Sequence, residues 1–337
     1  MLISTKIVFM RILCLLFVSL LLNGCSEDPC RSHPEGKPAT IEIEVNRLEK
    51  NLFMAQEVRD VEKFLQMHQQ MAARMFHLNE YPDEKILAER IFGLVQNEFI
   101  DTLYVEANEA FDQPLFEKTM NISLGWLKYY FPEMTVPKVQ TMVSGLYNDL
   151  VISKDLIIIG LDFFIGEKAS YRPKEVPQYI LRRYDSKYMT PTILKFFIAD
   201  YCSSGDEETL LSEMIDYGKI YYLLGSIMPC TPDDLILGFT AKEILDVYAY
   251  QELIWSRIIE EKWLYVTDEF TKKKMLGERP KTIELGDECP GRVGAWIGWQ
   301  IVKQYMDETG STMQELMANR NHHEIFAQSK YKPKNRS

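Results

Sequence analysis

The hydrophobic period changes twice along this chain, and that change constrains the fold more than any single motif. Val61, Phe64, Leu65, His68, Met71, Ala72, Met75 and Phe76 fall on one helical face. Ile86, Leu87, Ile91, Leu94, Val95, Phe99 and Leu103 predict a second helix, and Leu115, Met120, Leu124, Leu127 and Tyr130 a third that ends before Pro132. The period then shortens. Residues 139–143, 150–152 and 156–161 are brief apolar or β-branched runs, separated by Ser144-Gly145 and Ser153-Lys154-Asp155. They predict a small antiparallel meander. Residues 41–45 alternate and add a candidate short strand. Helical patterns return over 191–201, 207–224, 240–261, 291–308 and 311–317, the last with Thr312 and Glu315 as a capping-box pair. The expected class is α+β: a mostly helical single body with a small antiparallel sheet.

The N-terminus carries a different signal. Lys6 and Arg11 precede an apolar stretch, residues 12–22, that is short of the roughly 20 residues a membrane-spanning helix needs. It closes on Leu22-Asn23-Gly24-Cys25. This reads as a lipoprotein signal peptide over 1–24, with Cys25 acylated to become the first residue of the mature chain. Residues 25–40 then form a polar, proline-bearing lipidated tether, 41–328 the single folded domain, and 329–337 a basic tail. The expected location is an outer membrane, on its periplasmic or cell-surface face, held by the lipid anchor. The net charge of -11 becomes -13 when Lys6 and Arg11 leave with the signal. Such a balance argues against nucleic acid as a partner. The run 272–274 and the tail lysines read either as solvated charge or as a small contact patch.

Catalytic motifs are missing. The five histidines are His33, His68, His77, His322 and His323, so no HExxH zinc motif exists, and His322-His323-Glu324 has the wrong spacing. There is no GxSxG, P-loop or GxGxxG. Neither a metal nor a cofactor is expected, and no catalytic residue is assigned. Cys30, Cys202, Cys230 and Cys289 remain after the signal and the lipid site. With Cys30 in the tether, at most one bridge is expected among the other three, with buried thiols as the alternative.

Three stretches hold the candidate binding residues. Asp162 ends an apolar run and either caps the next segment or lines a groove. Arg182 and Arg183 form a basic pair that faces either an anionic partner or nearby acids. Residues 290–302 place Gly291, Gly294 and Gly298 along a helix start with Arg292, Trp296 and Trp299. Glycine inside a helix costs up to ~1 kcal/mol against alanine, so the spacing implies close backbone packing or a lined cleft. One tryptophan is expected in the core, while the other is a candidate cleft wall. A groove bordered by Asp162, Arg182-Arg183 and the helix from Gly291 would favour an acidic partner group. The alternative is an internal Arg292–Asp162 pair.

These stretches resemble the gliding-motility lipoprotein GldB family of Bacteroidetes. The resemblance rests on residues 45–49 (VNRLE), Gly160-Leu161-Asp162, Gly218-Lys219 with Tyr221-Tyr222, Pro290-Gly291-Arg292 with 296–302, and the closing 329–333. It implies a non-enzymatic lipoprotein that supports gliding motility or type IX secretion through contacts with envelope proteins of that machinery. An envelope hydrolase of peptide or glycan using carboxylates, or a glycan-binding surface module, are the alternatives. The layout is also similar to zincin-like peptidases without the metal motif. There, residues 191–201 occupy the HExxH helix, and Tyr217 stands where that group places a glutamate. This implies a pseudo-peptidase scaffold whose groove is kept for binding.

Overall fold

The computed structural model describes Cys30 and residues 36–333. The expected signal peptide, the expected acylation site Cys25 and the last four residues of the chain lie outside the described residues. The chain divides into two units between Ser32 and His33, and the second holds every element below.

A four-stranded sheet is built from β1 (Val45–Arg47), β2 (Lys138–Met142), β3 (Leu150–Ile152) and β4 (Leu156–Gly160), in the order β1-β2-β4-β3. It is mixed rather than the expected antiparallel meander. Val45 pairs with Val139 and Val139 with Ile157 in parallel register, and only β3 runs antiparallel to β4, with Val151 opposite Ile158. The reason lies in β4, which is buried along its whole length. A Leu-Ile-Ile-Ile run belongs to a central strand covered on both faces, the usual setting of parallel pairing.

Six helices separate β1 from β2: α1 (Leu48–Leu52), α2 (Val58–Met67), α3 (Gln69–Met75), α4 (Glu84–Val95), α5 (Glu98–Ala110) and α6 (Gln113–Tyr130). The first two predicted helices are each split in two. His68 leaves the helical region at φ -123°, ψ 44°, and the Asn97 side chain accepts from the Phe99 amide to start α5 afresh. After the sheet come α7 (Gln178–Leu181), α8 (Ser186–Ile198), α9 (Leu210–Ile227), α10 (Asp233–Leu237), α11 (Ala241–Ala249) and α12 (Gln251–Glu260). They are followed by α13 (Glu269–Leu276), α14 (Val293–Thr309), α15 (Met313–Ala318) and α16 (His322–Ser329). The capping box of Thr312 and Glu315 starts α15.

The sheet sits between two apolar layers. Leu156, Ile158 and Met142 pack with α1–α4, while Ile157, Ile159 and Val139 join the larger core with α6, α8, α9 and α14. The fold is thus α+β and mostly helical. At the β1–α1 junction, buried Glu49 pairs with Arg47 and accepts from Thr141 Oγ1 at 2.7 Å. Arg47 also donates to Asn108 at 2.6 Å.

Candidate functional site

The site is positioned by the α9–α14 pair, the most extensive helix contact in the fold. A Cβ on Gly298 would lie 1.6 Å from the Met214 carbonyl oxygen, and one on Gly218 2.3 Å from the Gly298 oxygen. The glycines therefore let two backbones touch. Trp296 and Trp299 are 0% and 1% exposed. Both are core, so neither forms the cleft wall expected of one of them. Two large side chains placed one turn apart on a helix buried all round have no solvent face to occupy.

Close backbone packing brings the start of α14 to one polar cluster. Arg292 precedes α14 in the left-handed region, φ 61°. Its Nη2 donates to the Leu237 carbonyl at 2.9 Å and to that of Gly238 at 3.3 Å, so a cation closes the C-terminal end of α10. Its Nη1 donates to Tyr221 Oη at 3.3 Å, and its Nε lies 3.5 Å from Glu278. Arg183 holds Glu278 with both guanidinium nitrogens, at 2.9 and 2.7 Å. Gly238 makes room for this: its φ is +66°, and a Cβ there would stand 2.9 Å from Arg183 Cδ.

Lys195 of α8 and Tyr217 of α9 lie within electrostatic reach of this cluster. Burial pushes the Lys195 ammonium below its usual range, Tyr221 opposes this, and Arg292 and Arg183 add to it. Tyr217, still 40% exposed, has its phenol pushed up by burial and then by Tyr221. Burial also acts to raise Glu278, but Arg183, Arg292 and Lys195 together hold it below the carboxylate range. Two guanidinium groups thus hold one carboxylate in a strongly acidic chain.

The other candidates stand apart from this cluster. Arg182 is bidentate to Glu243 at 3.0 and 2.7 Å, and Glu243 is itself the capping-box residue of α11. Asp162 is 2% exposed and accepts from the Ser144 and Leu146 amides at 3.2 and 2.6 Å. It fastens the β2–β3 crossover and does not pair with Arg292. Burial raises its carboxyl to about 6 against the pull of these hydrogen bonds. Lys272 is no surface patch either, being buried between Glu213 and Glu269 at 2.6 Å from each.

A second polar network was not foreseen. His322 Nδ1 lies 2.9 Å from Ser212 Oγ and 3.0 Å from the Ser212 carbonyl oxygen. Its Nε2 lies 3.4 Å from Lys219 Nζ and 3.4 Å from Asp216. Lys219 also donates to the carbonyls of Ser203 and Asn319, both at 2.7 Å. Serine, histidine and aspartate are the residue types of a hydrolase triad, but the geometry is a lock. A carbonyl acceptor puts the proton on Nδ1, which then cannot take one from Ser212, and Ser212 is buried. Lys219 is the lone cation of α9, the sequence signal that could have marked it as buried.

Cys30 and Cys230 each belong to a disulfide, whereas Cys202 and Cys289 are free. No bridge therefore forms among Cys202, Cys230 and Cys289. The Cys202 thiol contacts Met317 Sδ at 3.3 Å, and Cys289 points to the Pro290 carbonyl. Burial pushes both free thiols up to about 12. Among the described residues, no group of three His, Cys, Asp or Glu side chains could hold a metal ion.

A family model described as gliding motility protein GldB matches residues 29–333. The chain belongs to that family. No curated protein and no solved structure matches it. In this GldB member, residues 218–222 and 290–302 border the cation cluster through Tyr221 and Arg292. No helix among the described residues is long and apolar enough to cross a membrane, while the lipoprotein family implies a membrane anchor.

Proposed function

We propose that this GldB-family chain is an envelope lipoprotein, acylated at Cys25, that supports gliding motility and its type IX secretion machinery by binding another envelope protein rather than by catalysis. The cation cluster carries the reading. Arg183 and Arg292 meet a single carboxylate, Glu278, with the Lys195 ammonium and the exposed Tyr217 within electrostatic reach. An excess of positive charge inside an acidic body favours an acidic partner group. In this reading, the two helices that resemble the metal-bearing pair of zinc peptidases present Lys195 and Tyr217, and the scaffold serves recognition. The buried acids do not favour a carboxylate hydrolase. Asp162 and Glu49 are each satisfied by separate local partners.

A deletion strain complemented with variants tests this. Wild-type protein is expected to restore surface spreading and secretion. Arg183→Glu, made at normal abundance with a normal melting temperature, is expected to fail and to lose crosslinks to its envelope partner. Normal spreading and secretion in the deletion strain would overturn the reading.

A further inference from the structure

We infer that the pocket between the α11–α12 corner and the loop 281–290 receives one bulky apolar side chain of a protein partner, next to a lysine or arginine on the same segment. The inference uses other residues than the cation cluster and calls for the opposite charge. It shares with the reading above only the premise of a protein partner. Tyr250 and Leu253 are 54% and 61% exposed, yet both border one concavity. They wall a mainly apolar cavity of about 200 Å³, with the buried side chains of Val247, Ile254 and Leu285 beneath. A cavity for a cofactor or drug-sized ligand usually measures about 300–1,000 Å³. The smaller volume suits a single leucine or phenylalanine side chain, the kind of anchor that dominates many protein interfaces.

The pocket is built before any partner arrives. The Tyr250 amide donates to the Asp246 carbonyl and the Ile254 amide to the Tyr250 carbonyl, both at 2.9 Å, which fixes the corner. The facing loop is pinned to itself. The Thr282 amide donates to the Cys289 carbonyl at 2.8 Å, and the Thr282 hydroxyl to the Pro290 carbonyl at 2.9 Å. A preformed anchor site loses little ordering entropy on binding. Charge then selects the neighbour of the anchor. Asp246, Asp287 and Glu288 line the pocket, and no lysine or arginine does. Lys242 reaches Asp246 at 2.6 Å and Glu288 at 3.3 Å, and Lys281 reaches Glu288 at 3.2 Å, all at the exposed surface. Such exposed pairs are weak. Asp287 has no ion-pair partner among the described residues. The rim thus keeps a net negative charge and favours a cation beside the anchor. The chain's own last residues, Lys334-Asn335-Arg336-Ser337, carry the charge but no apolar side chain to fill the cavity.

The test titrates the purified full chain in detergent with a Lys-Phe-Lys peptide and with Lys-Ser-Lys and Glu-Phe-Glu counterparts, all blocked at both ends. Calorimetry reads affinity. The rate at which a small neutral thiol reagent modifies Cys289, which also lines the pocket, reads location against the other free thiol, Cys202. Lys-Phe-Lys is expected to bind and to slow modification of Cys289 alone. Leu253→Ser is expected to weaken binding by about tenfold, and Asp287→Lys by about threefold. Both positions are exposed, so the melting temperature is expected to stay unchanged. No binding of Lys-Phe-Lys overturns the inference, as does equal binding by either counterpart or full binding by either variant. A chain ending at Pro333 whose Cys289 reacts faster without any peptide assigns the pocket to the chain's own tail and overturns it too. Normal spreading in the deletion strain removes the partner-binding reading above and leaves the peptide result standing.

Discussion

At the residue scale, buried polar groups act as fasteners. Asp162 satisfies two backbone amides of the β2–β3 crossover. Asp162→Asn is expected to cost about 2 kcal/mol, because one amide then faces an NH2 group. The shift of the urea midpoint at unchanged slope measures it. His322 carries a pH signature. Burial and then Lys219 depress its imidazole to about 4 from the ordinary 6.5. Below 6.5 the unfolded chain takes up a proton that the folded chain refuses, so stability falls as pH drops from about 6.5 to about 4 and levels off below that. The loss reaches up to about 3 kcal/mol. Asp216, raised to about 6 mainly by burial, acts in the opposite direction over part of this window. The difference between wild type and His322→Gln in melting temperature from pH 4 to 8 therefore isolates the imidazole. A difference that does not vary with pH would refute this assignment.

At the element scale, the α9–α14 pair is the spine, and its glycines set the separation. Gly298→Ala places a methyl group against the Met214 backbone oxygen, which no rotamer change relieves. A loss of about 3 kcal/mol or more, or failure to fold, is expected in chemical denaturation. Gly93 makes the contrast. It is exposed on α4, and a Cβ there meets nothing within 4 Å. Gly93→Ala is expected to stabilise the chain by up to about 1 kcal/mol, through helix propensity alone. The pair of variants separates backbone contact from propensity in one set of melts.

At the scale of the whole molecule, charge and anchoring set the behaviour. The body is acidic, with a net charge of -11 over the full sequence, so the cluster at Arg183, Lys195 and Arg292 is a positive island in a negative field. The proposed anchor at Cys25 would confine encounters to the membrane surface. Cys25→Ser is expected to move the protein from the membrane to the soluble fraction, because stable anchoring takes more than one acyl chain. Fractionation with equal membrane recovery of both forms would remove the anchor.

Local chemistry was legible in the sequence because it depends on near neighbours. The capping box at Thr312 and Glu315, the end of α6 before Pro132, and the close-packing glycines at 291, 294 and 298 follow from period, caps and backbone freedom. Of the candidates named from sequence, Arg183 and Arg292 meet at Glu278. Tertiary structure alone decided three things. It made the sheet mixed, because the partner of a buried strand is chosen by the layers that cover it. It sent Arg182 to Glu243 and Asp162 to the crossover loop, because a side chain's partner depends on which distant elements arrive beside it. It also joined Lys219 to His322, residues far apart in sequence whose local mark is the lone cation of α9.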